Sequence, residues 1–293
     1  MSIINGVFLI DKPSGQSSHD MVNIMRRKLN MKRVGHTGTL DPLASGLIIV
    51  LTGTYCRLCE LIMETEKEYI CKLQLGITSD TEDITGNILK RIDTVPSDYE
   101  VKSVINSFIG EIVQTPPMFS AIKRNGQKLY ELARKGEVVD RNARLVFVRD
   151  IDIVFCDEQK GIYELHIVCG KGTYIRTICS DIGEKLGCGA VMTELRRTSL
   201  AGFNVKNALT IADIEHMSFE ELFKRSIEIE EIFFAMPSAT LNDKDFKRFR
   251  NGVQIDMPAN AVNGLYRIYN SEKELTSIGS IEDNILKSKM FFK

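Results

Sequence analysis

The sharpest feature of the sequence is GHTGTLDPLASG, residues 35–46, which places one acidic residue, Asp41, in a glycine-rich loop before an apolar strand. Pro42 restricts Asp41 to extended backbone conformations, and Gly38 lets another backbone or a ligand approach closely. By itself, an aspartate in such a loop is more often a turn former that bonds its own backbone. The local sequence therefore leaves two interpretations of Asp41 open, a turn former and a side chain presented to a ligand.

Strand-like and helix-like segments alternate on both sides of this loop, which predicts a mixed α/β or α+β core. Apolar runs or period-2 alternation predict four strands, at residues 7–10, 47–51, 69–75 and 162–168. Apolar stripes at helical spacing predict three helices, one that starts at Ser17 or Ser18, one that stops at Gly110 and one that stops at Gly187.

The length of 293 residues exceeds that of most single cores, so we expect one large and one small domain. We place the boundary where Pro237 follows an acidic stretch, which gives domains at 1–236 and 237–293. Within the first, the segment 115–144 contains adjacent prolines near its start and is basic, turn-rich and poor in core residues. This segment is predicted to be an insertion outside the core.

The net charge of −1 does not by itself suggest a nucleic-acid partner, but the charges are unevenly distributed. Residues 115–150 carry eight Lys or Arg against four Asp or Glu, whereas residues 208–235 carry two against seven. A neutral total can therefore hide a basic face of the kind that phosphate backbones require. Ordinary solvated surface charge explains the same numbers equally well.

The chain is expected to remain in the cytoplasm. No apolar run reaches the roughly 18–20 residues of a membrane helix, and the N-terminus has neither a basic region nor a small-residue cleavage site of a signal peptide. The seven cysteines are an odd number, and we expect reduced, mostly buried thiols. Cys56 and Cys59 form one CxxC pair without a compact second pair, so we expect no structural zinc or other metal.

The loop sequence resembles, nearly letter for letter, the catalytic motif of the TruB family of tRNA pseudouridine synthases. Five further stretches resemble that family in the same order, and the set covers residues 6 to about 203, two thirds of the chain. Because collinear motifs are far more specific than any one of them, the turn-former interpretation of Asp41 loses its support. The five stretches are GVFLIDKPSGQSS, KEYICKLQLG with SDTEDITG, QTPPMFSAIKRNGQKLYELARKG, GKGTYIRTICSDIGEKLG and LRRTSLAGF.

The resemblance implies an α+β fold with a mixed, mainly antiparallel sheet flanked by helices, and a small β-rich PUA-like C-terminal domain. It also implies an isomerase that converts uridine to pseudouridine without a cofactor. Asp41 is the implied nucleophile. A carboxylate can capture an electron-poor C1′ or add to C6 of the uracil ring, and the sequence does not separate the two routes. In either route Asp41 must be ionised, and a neighbouring cation favours that form.

The resemblance assigns roles to residues around Asp41. Arg176 is the cation that pairs with it, and Tyr69 stacks on the target base and takes the C5 proton. Leu195 is an apolar residue under the base, and Tyr174 lines the same cleft. Without the motifs, Arg176 would be an ordinary surface arginine and Tyr69 a half-buried strand residue.

Asp83 resembles a second carboxylate that joins the network of Asp41 and Arg176, although a turn residue in a charged hairpin remains an alternative. The target uridine lies in a folded RNA loop and must be flipped out before it can react. His36 resembles the family histidine that fills the space left by the base, where a plain surface histidine would be the ordinary interpretation.

The insertion resembles a thumb that closes over the RNA stem-loop, with a sequence-independent contribution from its basic side chains. Lys12 is expected to brace the active-site loop or to contact RNA. The basic residues expected to meet phosphates are Lys123, Arg124, Lys128, Arg134 and Lys135.

Two parts of the chain depart from the family pattern. The family often has a lysine where this chain has Arg57, so a phosphate contact there is in doubt. The tail from residue 238 resembles a PUA-like domain only loosely. Its four basic residues could contact the acceptor stem of tRNA, although a solvated helix face explains them equally well; they are Lys244, Lys247, Arg248 and Arg250.

The leading hypothesis is an isomerase that acts on the T-loop uridine of tRNA, position 55 in tRNA numbering. An RNA-binding or tRNA-folding module is the second hypothesis, and only the first needs Asp41. A sugar glycosidase would need a second catalytic carboxylate and aromatic platforms, and the chain has no Trp. We expect a standalone monomer whose partner is tRNA, without a membrane or an obligate protein partner and without the extensions typical of guide-RNA-dependent synthases.

Overall fold

The computed structural model describes residues 4–93, 96–124 and 126–292. Within these ranges the main sheet has nine strands, in the order β1-β3-β12-β4-β11-β10-β7, with β2 beside β3 and β13 beside β12. Strands β12 and β3 run parallel and the other pairs are antiparallel, as expected for a mixed, mainly antiparallel sheet. The strands are β1 Gly6–Lys12, β2 Val34–His36, β3 Ser45–Thr52, β4 Lys67–Leu75, β7 Gly110–Gln114, β10 Arg144–Asp157, β11 Ile162–Cys169, β12 Ala190–Leu200 and β13 Phe203–Asn204.

Helices cover the sheet, and none in the described part of the chain is long and apolar enough to cross a membrane. Helix α1 starts with a capping box between Ser17 and Asp20 and buries its apolar stripe against β1 and β3. Helices α3 and α5 pack on β4, β11 and β12. The helices are α1 Ser18–Leu29, α2 Cys59–Met63, α3 Asp98–Asn106, α4 Leu129–Ala133, α5 Ile175–Lys185, α6 Ile211–His216, α7 Phe219–Lys224, α8 Ile229–Ile232 and α9 Asp243–Arg250.

The predicted segment 115–144 leaves the main sheet between two paired strands. Gln114 at the end of β7 lies opposite Arg144 at the start of β10, so the intervening residues form one excursion from the sheet edge. That excursion contains helix α4 and a short hairpin of β8, Lys123–Arg124, with β9, Gln127–Lys128. A second short hairpin, β5 Ile77–Ser79 with β6 Ile88–Arg91, follows β4.

The last part of the chain forms a separate five-stranded sheet in the order β14-β16-β17-β18-β15, packed on α9. Leu275, Ile278 and Phe292 of this region share a buried cluster with β1 and β3, so the two sheets are in direct contact. The fold is thus α+β with a C-terminal sheet domain, as predicted. The strands are β14 Ser238–Thr240, β15 Ile255–Asp256, β16 Gly264–Tyr269, β17 Leu275–Glu282 and β18 Ile285–Phe291.

The four predicted strands and three predicted helices are present, but the helix predicted to stop at Gly110 ends at Asn106, and Gly110 begins β7. The sequence patterns also predict no strand at β10 or β12. Both strands contain irregular pairing: β10 shifts register after Val148 and again after Ile153, and β12 shifts after Met192 and again after Arg197. A bulge adds a residue to one strand and breaks the alternation of inward and outward side chains. The period-2 signal is therefore lost in these two strands.

Gly46 allows β3 to approach β12 closely at the end of the Asp41 loop. Its φ is +107°, and a Cβ atom there would lie 2.7 Å from the backbone nitrogen of Arg197 and closer still to its carbonyl oxygen. Any side chain at this position would push the two strands apart. The loop can therefore join the sheet only through glycine.

We expect Gly46→Ala to destabilise the protein more than Gly202→Ala does. Both glycines have positive φ, which costs an alanine about 1–2 kcal/mol, but a Cβ at Gly202 would meet nothing within 4 Å. The difference in free energy of unfolding, measured with denaturant, isolates the collision with β12. Equal losses for the two variants would show that β3 can move away at no cost.

Candidate active site

The backbone around Asp41 is held by the turn that follows β1. Ser18, which is 3 % exposed, accepts from the amide of Leu40 at 2.7 Å and donates to its carbonyl at 3.1 Å. The amide of Gly15 donates to the carbonyl of Pro42 at 2.7 Å, and the exposed Ser14 hydroxyl donates to the next carbonyl along the loop at 2.8 Å. The loop is therefore fixed on both sides of Asp41 by neighbours that are distant in sequence.

The Lys12 side chain lies inside this turn and bonds its backbone. It is fully buried, and its Nζ donates to the carbonyls of Pro13 at 2.8 Å and Gln16 at 2.7 Å. Burial lowers the pKa of Lys12 to about 8, although the charge of Asp41 opposes that shift. The expected bracing role fits this placement. The alternative, an RNA contact, does not, because a buried ammonium that is committed to its own turn cannot reach a phosphate.

Asp41 and Arg176 form a close ion pair. The Arg176 Nε lies 2.8 Å from the Asp41 Oδ2, and the contact is an ion pair without aligned hydrogen-bond geometry. The Arg176 side chain is only 4 % exposed, whereas that of Asp41 is 35 % exposed. The Nη1 and Nη2 atoms of Arg176 donate to the carbonyls of Thr81 and Phe119, both at 2.9 Å. A rigid buried cation therefore orients a carboxylate that stays accessible from one side.

Asp83 satisfies both interpretations that the sequence left open. Its Oδ2 lies 3.7 Å from the Arg176 Nη1, which adds a second carboxylate to the pair. Its Oδ1 accepts from the Thr81 hydroxyl at 2.9 Å and from the Thr85 amide at 2.9 Å, so it also shapes the turn between β5 and β6. Because Asp83 is 5 % exposed and already bonded, it holds Arg176 in place and is not presented to a ligand.

Tyr69 and Leu195 are buried beside the Asp41 loop. Both belong to the core cluster that includes Leu40, and they lie on adjacent strands, with Tyr69 opposite Arg197 and Leu195 two pairs further on. Burial raises the pKa of Tyr69, and the positive charge of Arg197 opposes that shift. Near neutral pH the ring is therefore an uncharged, flat surface next to the carboxylate.

His36 precedes Asp41 in the sequence, and Tyr174 lies far after it. His36 ends β2, burial lowers its pKa, and its Nδ1 is buried without a hydrogen-bond partner. Tyr174 precedes α5, and its backbone is held by the Gln114 side chain, which donates to its carbonyl at 3.0 Å and accepts from its amide at 2.8 Å. The Arg144 guanidinium lies 5.2 Å from the centre of the Tyr174 ring. The base of the insertion thus contacts the start of α5.

The basic side chains of the insertion differ in how freely they can contact a ligand. Lys123 and Arg124 are exposed on the β8–β9 hairpin, although Arg124 also donates to the carbonyl of Asp140. Arg134 and Lys135 are exposed after α4.

The doubt about a phosphate contact at Arg57 is consistent with its placement, because its Nη1 donates to the carbonyl of Phe291 at 2.9 Å and so links the two sheets.

The sequence does not indicate that Ser18 and Arg197 support the Asp41 loop. Ser18 is predicted only as a helix cap, yet its hydroxyl bonds both backbone groups of Leu40. Arg197 lies in the LRRTSLAGF stretch and is 1 % exposed. An arginine at a strand position that faces inward would have indicated this role. The bulges of β12 break the alternation of the strand, so the sequence does not show which residues face inward.

The fold is shared with chains in two solved structures. The chain matches one from a Cbf5-Nop10-Gar1 complex with a TM-score of 0.75 and 23% identity, over 98% of this chain and 85% of that one. It also matches one from an H/ACA RNP bound to a substrate RNA containing 2′-deoxyuridine, with a TM-score of 0.73 and 23% identity, over the same shares of the two chains. These likenesses show that the chain shares its fold with both proteins.

Sequence comparison identifies the family. The model of the N-terminal domain of TruB family pseudouridylate synthases matches residues 26–175, and that of the tRNA pseudouridylate synthase B C-terminal domain matches residues 176–233. Proteins named tRNA pseudouridine synthase B are similar. The one from Clostridium perfringens is 41% identical over 97% of both chains, and the one from Alkaliphilus oremlandii is 46% identical over 72% of this chain and 70% of its own. The chain belongs to the TruB family and isomerises uridine to pseudouridine in tRNA.

We expect Ser18→Ala to slow catalysis and to weaken folding. The change leaves the buried amide and carbonyl of Leu40 without their partner, a loss of about 1–3 kcal/mol in free energy of unfolding. It also frees the loop that carries Asp41. Ser14→Ala is the control, because it removes a bond to the same loop at an exposed position. Turnover of unmodified tRNA should fall clearly for Ser18→Ala only, and equal turnover of the two variants would contradict the bracing role.

Proposed function

We propose that the chain isomerises the T-loop uridine at position 55 of tRNA, with Asp41 as the nucleophile. The observation that carries the proposal is the 2.8 Å ion pair between the accessible carboxylate of Asp41 and the buried guanidinium of Arg176. An oriented carboxylate that stays open to a ligand is what covalent or electrostatic catalysis at a sugar or a uracil requires. The relatives named tRNA pseudouridine synthase B support tRNA as the substrate.

The reaction needs only groups that this chain supplies. The bond from C1′ to N1 breaks, the base turns, C5 bonds to C1′, and the proton leaves C5 while N1 gains one. Electrons and atoms balance within the nucleotide, so no cofactor is required. Asp41 attacks C1′ or adds to C6, and Arg176 orients it in either route. Tyr69 stacks on the base, and a proton-accepting role for its hydroxyl depends on a group that offsets its burial.

The remaining site residues serve binding. Leu195 and Tyr174 contact the flipped base, and His36, whose Nδ1 is a buried atom without a partner, takes the place that the base leaves. In this proposal the insertion 115–144 is a thumb whose Lys123 and Arg124 meet the phosphates of the T stem. Asp83 contributes by holding Arg176, and Lys12 by bracing the turn that supports the loop.

We also propose that residues 1–236 form the catalytic domain and residues 237–293 a PUA-like RNA-binding domain. Helix α9 presents four exposed basic side chains and begins with the N-cap Asn242. A basic helix on a small sheet domain suits the backbone of the acceptor stem. The basic side chains are Lys244, Lys247, Arg248 and Arg250. The enzyme acts as a monomer in this proposal, without a protein partner.

We expect Asp41→Asn to abolish isomerisation while tRNA binding stays nearly intact. Removing a nucleophile should lower the rate at least about a thousandfold, because the amide cannot attack carbon. The assay measures tritium released from C5-labelled uridine in tRNA, with the Kd for tRNA measured in parallel. Glu66→Gln is the control, since it breaks another carboxylate–arginine pair, with Arg149 at 2.8 Å. Tritium release by Asp41→Asn would show that the nucleophile is another group.

We expect the double variant Lys123→Glu, Arg124→Glu to weaken tRNA binding and to flatten its salt dependence. Each lost phosphate contact should reduce the slope of log K against log salt by about 0.7–0.9. Binding is measured across a salt series, with unfolding followed separately. The matched control is Lys90→Glu, Arg91→Glu, an adjacent exposed pair on the β5–β6 hairpin. An unchanged slope for the insertion variant would remove that hairpin from the interface.

A further inference from the structure

We propose that Arg197 is a positioning residue of this active site: its guanidinium holds the loop on both sides of Asp41, and its backbone lies opposite Tyr69. The inference rests on the proposed function and adds a residue to it. Arg197 touches no reacting atom in this proposal. It acts through Asp41 and Tyr69, the two groups that contact the target nucleoside.

The guanidinium bonds the loop before and after Asp41. Its Nε donates to the carbonyl of Leu47 at 2.6 Å, and its Nη2 donates to the carbonyl of Gly38 at 3.3 Å. The two acceptors lie on either side of Asp41 in sequence. One planar group with rigidly spaced donors therefore fixes the span of the loop, which a flexible lysine could not do.

The backbone of Arg197 occupies the place where the catalytic strands meet. Strand β12 lies between β3 and β4, so Arg197 is opposite Gly46 on one side and Tyr69 on the other. The absence of a side chain at Gly46 is what brings the loop end against Arg197. A displacement of this one residue would therefore move the end of the nucleophile loop and the strand of the stacking tyrosine together.

The Arg197 guanidinium also acts on Tyr69 through its charge. Burial raises the pKa of Tyr69, and the positive charge of Arg197 opposes that rise. The charge therefore makes loss of the Tyr69 proton less unfavourable than burial alone would make it.

The energetics distinguish Arg197 from ordinary buried arginines. Among the described residues no carboxylate lies within 4.0 Å of its guanidinium, whereas Arg176 has Asp41 at 2.8 Å. A buried cation held only by carbonyl dipoles costs folding stability. Burial is the main cause of the lowered pKa of Lys12 and of His36, and the positive charge of Arg197 adds to it in both. Such a costly group is explained by a role in positioning.

The test uses two substitutions of different character in the full-length protein. Arg197→Lys keeps the charge but not the planar donors, and Arg197→Gln removes the charge. We expect kcat on unmodified tRNA to fall about a hundredfold in both, as small misplacements of reacting groups do, while the Kd for tRNA changes less than about twofold. Rates are normalised to the folded fraction from circular dichroism, so that lost stability does not count as lost activity.

A double-variant cycle with Tyr69→Phe tests whether the charge of Arg197 acts through the Tyr69 hydroxyl. If it does, Arg197→Gln, which removes that charge, should lower kcat less in the Tyr69→Phe background than in the native protein. Independent effects that simply multiply would overturn this part. The matched control is Arg196→Gln on the opposite face of β12, which breaks a bidentate pair with Asp11 and should lower stability without lowering kcat of the folded protein.

The outcomes separate this proposal from the proposed function. If Asp41→Asn is inactive and both Arg197 variants turn over at full rate once normalised, the positioning role fails and the proposed function stands. If Asp41→Asn is active, the proposed function fails whatever Arg197 does. Failure of both Arg197 variants to fold, with Arg196→Gln folded, would overturn positioning in favour of a purely structural role.

Discussion

The ion pair between Asp41 and Arg176 joins the parts of the chain on which the site depends. Arg176 lies at the start of α5, Asp41 in the loop before β3, and the remaining guanidinium nitrogens bond carbonyls of the β5–β6 turn and of the insertion. A charge that is 96 % shielded from solvent must find partners, because an uncompensated buried cation is strongly unfavourable. The fold therefore closes around Arg176 only when all these segments are in place. The proposed catalytic geometry and the folding of the chain therefore share one requirement.

Three buried cations surround the Asp41 loop and differ in what satisfies them. Arg176 has a carboxylate, whereas Lys12 and Arg197 have backbone carbonyls. Carbonyl dipoles hold a cation without neutralising it, so the positive field remains near Asp41. A loop that is held from two sides in this way loses little freedom when the substrate binds, and pre-organised sites stabilise developing charge without reorganisation.

The insertion and the catalytic centre are one contact network. Gln114 and Arg144, the last paired residues before and after the insertion, both contact Tyr174, the residue that precedes α5. Phe119, within the insertion, accepts from Arg176 itself. In our proposal, the residues that meet RNA are therefore connected to Asp41 through few intervening residues. These connections use backbone groups, whose positions change little when side chains are substituted.

The sequence by itself determined the class of fold, the local elements and the reactive loop. Alternation in β4, the apolar run of β3 and the stripes of α1 and α5 are local signals, and the motif around Asp41 can be recognised without its neighbours in the fold.

Only the tertiary structure decided which side chains become buried. Lys12 lies in a turn whose sequence allows an exposed RNA contact, and only the packing of that turn against the Asp41 loop buries its ammonium. Arg197 is adjacent to the solvent-facing Arg196, and the bulges of β12 decide which of the two points inward. Burial and register depend on strands that are distant in the chain, and a one-residue shift exchanges the two faces.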